Sequence, residues 1–262
     1  MIIYNSVVRR TFCFIIFLLA LPISIIAQQW EVGTGIGVNQ YKGDVMPTYK
    51  PLVVRPAANA FVRMNFSRAV SFKAQGMFGG LVGKDKFIKS DPYHQSREYS
   101  FNAILMEGSG QVEYNFLNFR TNASRIVDNW TPYVFGGYGA TLIDSKAMLK
   151  TDINPSVFTP YNTNKTEQVM ILGIGFKKQW RNQWNWGIEF GARHTTTDFL
   201  DNIGYSSGKF EVILPPGVVP SDPKFQYLLK YQIPGTKVKD IYYYTNFSIS
   251  YVFYKVHCPT RR

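Results

Sequence analysis

What this sequence lacks narrows its class early. Its 262 residues hold two cysteines and three histidines, and none of these is spaced as a zinc site requires. No apolar stretch reaches the ~20 residues of a membrane-crossing helix, because the run from Phe12 to Leu21 is bounded by Arg9, Arg10 and Pro22. Helical periodicity is almost absent after residue 28. Gly33, Gly35 and Gly37 are followed by no helix and so form no phosphate loop, and no complete calcium loop is present. There is no recognition helix and no RNA-binding signature, which sets nucleic acid aside as a partner.

What is there begins with a leader. Arg9 and Arg10, the apolar run, Pro22 and the small residue Ala27 ahead of Gln28 and Gln29 have the layout of a secretory signal peptide. This predicts a signal peptide over 1–27, one barrel domain over 28–254 and a short C-terminal tail over 255–262. Removing Arg9 and Arg10 takes two charges from the net +12 and leaves +10, a basic balance that suits acidic partners or anionic lipid. Cys13 falls in the leader without the small-residue pattern of a lipid-modified cysteine. Cys258 therefore stands alone in an oxidising compartment, as a free thiol, a tail residue with no role, or half of a disulfide to another chain.

From residue 30 onward the dominant signal is alternation with a period of two. Trp30, Val32, Thr34, Ile36 and Val38 share one face, and Glu31, Gly33, Gly35, Gly37 and Asn39 share the other. The same split recurs in Ala58–Phe66, in Ser71–Phe78, in Ile104–Phe116, in Met170–Gln179, in Trp186–Arg193 and in Tyr243–Phe253. Pro132 to Leu142 is too rich in glycine for its faces to be assigned. These make eight strands of the ~9 to 11 residues that cross a bilayer when tilted. Tight turns at Ser67–Arg68 and Arg181–Asn182 alternate with long connections at 41–54, 81–98, 143–166 and 198–240, as in outer-membrane barrels. Leu117 to Asn129 is the exception, a longer connection on the short-turn side. The expected fold is all-β: an eight-stranded antiparallel up-and-down transmembrane β-barrel with long extracellular loops and periplasmic termini.

The polar face carries Glu31, Arg63, Lys73, Glu107, Glu113, Lys177, Glu189 and Arg193, four acids and four bases. An eight-stranded barrel is only wide enough inside for side chains to fill it, and unpaired charges there are strongly unfavourable. A sealed, ion-paired lumen is therefore expected in place of an open pore. Trp30, Phe66, Phe116, Trp130, Trp180, Trp184, Tyr251 and Phe253 sit at strand ends and suit interfacial girdles. The turns and tail on the periplasmic side carry Arg68, Arg120, Arg125, Arg181, Lys255, Arg261 and Arg262 against Asp128 alone, a face able to dock an acidic partner or rest on headgroups.

Catalytic chemistry finds little support. His194 with Thr195 to Thr197, Asp198 and Asp201 is the only grouping that resembles a nucleophile, base and orienting group. Threonine is a poor match for the serine of outer-membrane hydrolases, and strand parity turns His194 outward. His94 and His257 are isolated. Asp44, Asp198 and Asp201 gather near the outer rim, where carboxylate oxygens can gather calcium, but aspartates at strand ends more often cap turns by accepting backbone hydrogen bonds, and Lys42 is placed to pair with one. No catalytic residue, cofactor or metal is assigned.

Tyr41-Lys42-Gly43-Asp44, Thr131-Pro132-Tyr133-Val134-Phe135-Gly136-Gly137, Trp184-Asn185-Trp186-Gly187-Ile188-Glu189 and Thr197-Asp198-Phe199-Leu200-Asp201-Asn202 resemble the PorG-type outer-membrane proteins of the type IX secretion system of the Bacteroidota. The resemblance lies in the order and spacing of these motifs from about Trp30 to Tyr205 and resumes in the last strand. The proline-rich stretch 206–240 departs from it. The resemblance implies a barrel that associates with a periplasmic ring-forming lipoprotein and its soluble partner, serves protein secretion and in some relatives gliding, and is not itself the pore. In that setting Cys258 would lie within reach of the lipoprotein for an intermolecular disulfide, and Arg120, Arg125, Lys255, Arg261 and Arg262 would join it in docking. A lipid-modifying hydrolase and a narrow channel or general structural barrel are the rival classes.

Overall fold

The computed structural model describes residues 29–87, 99–119, 129–149, 161–181, 183–197, 200–201, 203–206, 209–212 and 239–253. The leader over 1–27 and the tail over 255–262 lie outside these residues.

Eight strands close into one antiparallel barrel: β1 (Gln29–Lys42), β2 (Arg55–Asn65), β3 (Val70–Lys84), β4 (Tyr99–Asn115), β5 (Trp130–Leu149), β6 (Tyr161–Arg181), β7 (Trp184–Thr195) and, closing on β1, β10 (Ile241–Phe253). Each strand pairs with its sequence neighbour, and β10 bridges β7 and β1 through registers such as Trp30↔Phe253 and Lys42↔Ile241. Around the closed ring no edge is left, so the ladder groups there are paired without water, as hydrocarbon demands, whereas beyond it the upper part of β6 pairs with β5 alone. A separate hairpin, β8 (Ile203–Ser206) with β9 (Lys209–Val212), forms in the segment expected to be only loop.

The short-turn end is tied locally. Between β2 and β3, Ser67 Oγ accepts the amides of Ala69 and Val70 at 3.2 and 2.9 Å, a turn in which the hydroxyl replaces a backbone acceptor. The other end carries the long connections. There the strands run further than the expected ~9 to 11 residues: β5 has 20 and β6 has 21, so part of the expected 143–166 loop is strand.

Alternation sorts polarity inside out relative to a water-soluble barrel. Outward residues are large and apolar, with Ile36 72%, Ile174 61% and Phe78 57% exposed, whereas Glu31, Lys73 and Glu113 are fully buried inside. Such an outer surface is a burden in water and is matched by bilayer hydrocarbon. The glycine-rich segment now has faces: Tyr133, Phe135, Thr141 and Ile143 point inward, and Val134, Tyr138 and Leu142 outward. Trp30, Phe66, Phe116, Trp130, Trp180, Trp184 and Phe253 are all exposed at the short-turn end, and Trp184 and Tyr251 meet edge to face at 5.2 Å between ring centres. These rings form the expected girdle at the depth where amphipathic aromatics sit.

Candidate functional site

The lumen is built from strand-borne side chains whose backbone register fixes their height. Glu31 faces Arg63 across the β1–β2 ladder, and Arg63 faces Lys73 across β2–β3. Arg63 is the hub. Its Nη1 donates to Glu31 at 2.6 Å, its Nε to Glu113 at 3.0 Å, and its Nη2 stands 3.7 Å from Glu189. Lys73 reaches Glu189 at 2.6 Å and stands 3.7 Å from Glu113, which also takes Lys177 Nζ at 3.0 Å. Arg193 pairs with Glu107 at 3.4 Å at a higher level. All eight charges named from the sequence are thus buried and paired, four against four.

Neutral donors complete the network. Tyr133 donates to Glu189 at 2.5 Å, Tyr242 to Glu107 at 2.7 Å, Asn246 to Glu189 at 3.2 Å, and Ser250 to Glu31. Aromatic faces take up the remaining surface of the cations, with Lys177 over Tyr133 at 4.7 Å and Arg193 over Tyr244 at 5.0 Å. Ion pairs out of water gain little net stability against apolar packing, but losing one partner is costly. The network therefore fills this part of the lumen with charges that are costly to unpair.

Above this polar layer the lumen turns apolar, which the alternation did not foretell. Leu81, Phe101, Leu105, Ile143, Val169 and Ile171 point inward toward the loop end and pack with Tyr41, Val45, Met46 and Leu200 into one buried cluster. Two seals therefore lie in series.

The second seal is closed by the mouth. Leu200 and Asp201, between β7 and β8, are buried against the barrel. Tyr41 Oη lies 2.7 Å from Asp201 Oδ2 and 2.8 Å from Asp240 Oδ1, Val45 N donates to Asp201 Oδ2 at 3.2 Å, Leu200 N to Asp240 Oδ2 at 2.8 Å, and Tyr99 Oη to the Asp201 carbonyl at 2.7 Å. Burial first, and the Asp201 charge second, push the Asp240 carboxyl well above the ordinary carboxylate value. Asp201 thus accepts a backbone amide 156 residues away and joins two loop connections, Asp198 lies outside the described residues, and no group of three or more metal-ligating side chains occurs among the described residues. Asp240 was missed in the sequence. Its only signal was a position just before the last strand, beside Tyr242 and Tyr244.

His194 faces outward between buried Arg193 and Thr195, and Thr195 Oγ1 is engaged with the carbonyls of Thr197 and Asp240 at 2.9 and 2.7 Å. The grouping considered for catalysis is therefore split across the barrel wall. Arg68 and Arg181 are exposed at the short-turn end. Arg120, Arg125, Lys255, Cys258, Arg261 and Arg262 lie outside the described residues, as do His94 and His257.

A family model described as "Domain of unknown function (DUF6089)" matches residues 9–261. No curated protein sequence matches the chain. Among solved structures it is similar to Ail, the attachment invasion locus protein of Yersinia pestis, in complex with the heparin analogue sucrose octasulfate, at 9% identity and a TM-score of 0.44 over 87% of this chain and 100% of that one. It is similar also to a major outer membrane protein from Thermus thermophilus, at 10% identity and 0.46 over 87% and 100%. A third is the N-terminal β-barrel domain of Pseudomonas aeruginosa OprF, at 9% identity and 0.40 over 87% and 99%. At such identities the likeness concerns fold alone.

Proposed function

Since this chain belongs to the DUF6089 family, we propose that it is a non-enzymatic outer-membrane β-barrel that anchors and docks, serving as a component of the type IX protein secretion machinery. The observation that carries this reading is the lumen: eight buried charges, paired four against four beneath an apolar seal. A barrel filled in this way acts through its surfaces, not its interior.

The short-turn end is the docking face in this reading, lying in the periplasm with both termini. Arg68 and Arg181 are exposed there, and the sequence adds Arg120, Arg125, Lys255, Arg261 and Arg262. Such a basic surface recognises an acidic protein partner. The resemblance to PorG-type proteins supports a ring-forming lipoprotein and its soluble associate as that partner, with Cys258 available for a disulfide to the lipoprotein.

Deleting the coding region tests the assignment. Secreted cargo is expected to accumulate in the periplasm, and normal cargo display on the cell surface would defeat the secretion role. Non-reducing gels of outer membranes test the disulfide separately, since a Cys258→Ser variant with every high-mass adduct unchanged removes that bond from the proposal.

A further inference from the structure

The outer surface is not uniformly bulky. On its loop-facing half a groove of about 940 Å³ crosses the wall from β10 to β5. Ile36, Phe78, Ile104 and Phe247 wall it, each between 43% and 72% exposed, and Ala58 and Gly80 lie low between them. The volume falls within the ~300–1,000 Å³ of small-ligand sites, but the groove opens sideways, at the depth of the bilayer.

Its polar groups lie at the loop end alone. Arg55, the first residue of β2, lies across β3 over Gly80, where an added Cβ would stand 3.3 Å from Arg55 Cβ, and donates through Nη2 to Asn102 Oδ1 on β4 at 2.6 Å. Lys146 faces Asn102 across the β4–β5 ladder and is exposed. Asp144, one outward step nearer the membrane centre and opposite Ile104, has a carboxylate oxygen shielded from solvent and without a hydrogen-bond partner. Two cations, an amide and an open acceptor thus stand at headgroup level above an apolar trough.

We propose that this groove binds a phosphorylated, multiply acylated glucosamine lipid of the outer leaflet. The inference rests on the outer-membrane reading, which puts the loop end in that leaflet. Arg55 and Lys146 would hold phosphate by charge-assisted hydrogen bonds, Asp144 Oδ1 would accept from a sugar hydroxyl or amide N–H, and the trough would take acyl chain. A second barrel seated on the groove gives no use to two cations at one end. A glycerophospholipid offers one phosphate and two acyl chains to two cations and a trough that runs from β10 to β5.

The full chain, purified from outer membranes and exchanged into nanodiscs of zwitterionic lipid, is titrated with diphosphoryl lipid A, with its dephosphorylated form and with phosphatidylglycerol, and adducts are counted by native mass spectrometry. Diphosphoryl lipid A is expected to bind best. Arg55→Ala with Lys146→Ala should weaken it by roughly tenfold or more, as loss of charge-assisted bonds implies, and erase its preference over the dephosphorylated form. Ala58→Trp, which obstructs the trough and spares both cations, should weaken both forms. Heat-dependent gel migration reports whether each variant is folded, and Arg55→Gln alone serves if the double variant is not. Equal binding of all three lipids, a preference for phosphatidylglycerol, or a mass of two barrels without lipid overturns the proposal. Recovery of the native chain outside the outer membrane would instead remove the premise, which fractionation reads independently.

Discussion

Tyr41 Oη stands 2.8 Å from Asp240 Oδ1 while also lying 2.7 Å from Asp201 Oδ2. A phenol has one proton to give, so one of the two contacts requires a proton from the carboxyl side. Asp201 Oδ2 also takes the Val45 amide and is the natural acceptor. Asp240, raised by burial and by its acidic neighbour, then supplies the other proton.

The sign of the resulting pH dependence follows from linkage. An acid whose pKa is higher folded than unfolded lends the folded mouth stability that is complete below the ordinary value of about 3.9 and is lost as pH rises through the raised value. Amide-exchange protection factors at Leu200 and Val45 should therefore fall with rising pH across that window. Asp240→Asn should flatten the dependence, because its amide N–H₂ can donate to Tyr41 and its carbonyl accept from Leu200, as the neutral acid does. A profile unchanged by this substitution would place the titrating proton elsewhere.

In the ion network, Glu113 receives Arg63 and Lys177 and stands near Lys73. Glu113→Gln leaves three buried cations with too little negative charge, so the barrel should lose about 3–5 kcal/mol of stability, read as a lower urea midpoint in lipid. Lys177→Met added to it removes the surplus charge and should recover part of the loss, a non-additivity expected of contacting groups. Strict additivity of the two losses would mean that the pair is not coupled.

Closure in two layers makes a further statement about transport. Planar-bilayer recordings of the purified barrel should show no large, steady conductance, because Leu81, Phe101 and Leu105 close the loop end above the ion pairs and an eight-stranded interior is filled by its own side chains. A stable ohmic channel would contradict both seals at once.

The wall of this barrel and its lower plug were legible because each rests on one-dimensional pattern. Lys73 next to Phe72 and Glu189 next to Ile188 declare opposite faces whatever the partner strand is. The upper seal was not legible for the same reason: Leu105 lies between Ile104 and Met106, and Ile171 between Met170 and Leu172, so apolar residues on both faces erase the alternation. The mouth depends on contacts across 160 and 199 residues, from Tyr41 to Asp201 and Asp240, which local periodicity does not encode. Gly33, Gly35 and Gly37 share the inward face with Glu31, and an added Cβ at each would collide with a cross-strand neighbour.

That crowding separates two chemically identical substitutions. A Cβ at Gly37 would meet the Thr245 carbonyl oxygen and stand 2.8 Å from Asn246 Cα, both backbone atoms of β10 that can yield only by opening the β1–β10 seam. A Cβ at Gly76, on the outward face of β3, has nothing within 4 Å. Gly37→Ala should therefore cost about 1–3 kcal/mol as overpacking does, whereas Gly76→Ala should lie within about 0.5 kcal/mol of the parent, with a small gain available from stiffening the unfolded chain. Unfolding midpoints of the two variants in the same lipid compare them directly. Equal losses would mean that the inward and outward faces of the wall are packed alike, and the closed seam between the first and last strands would lose its steric basis.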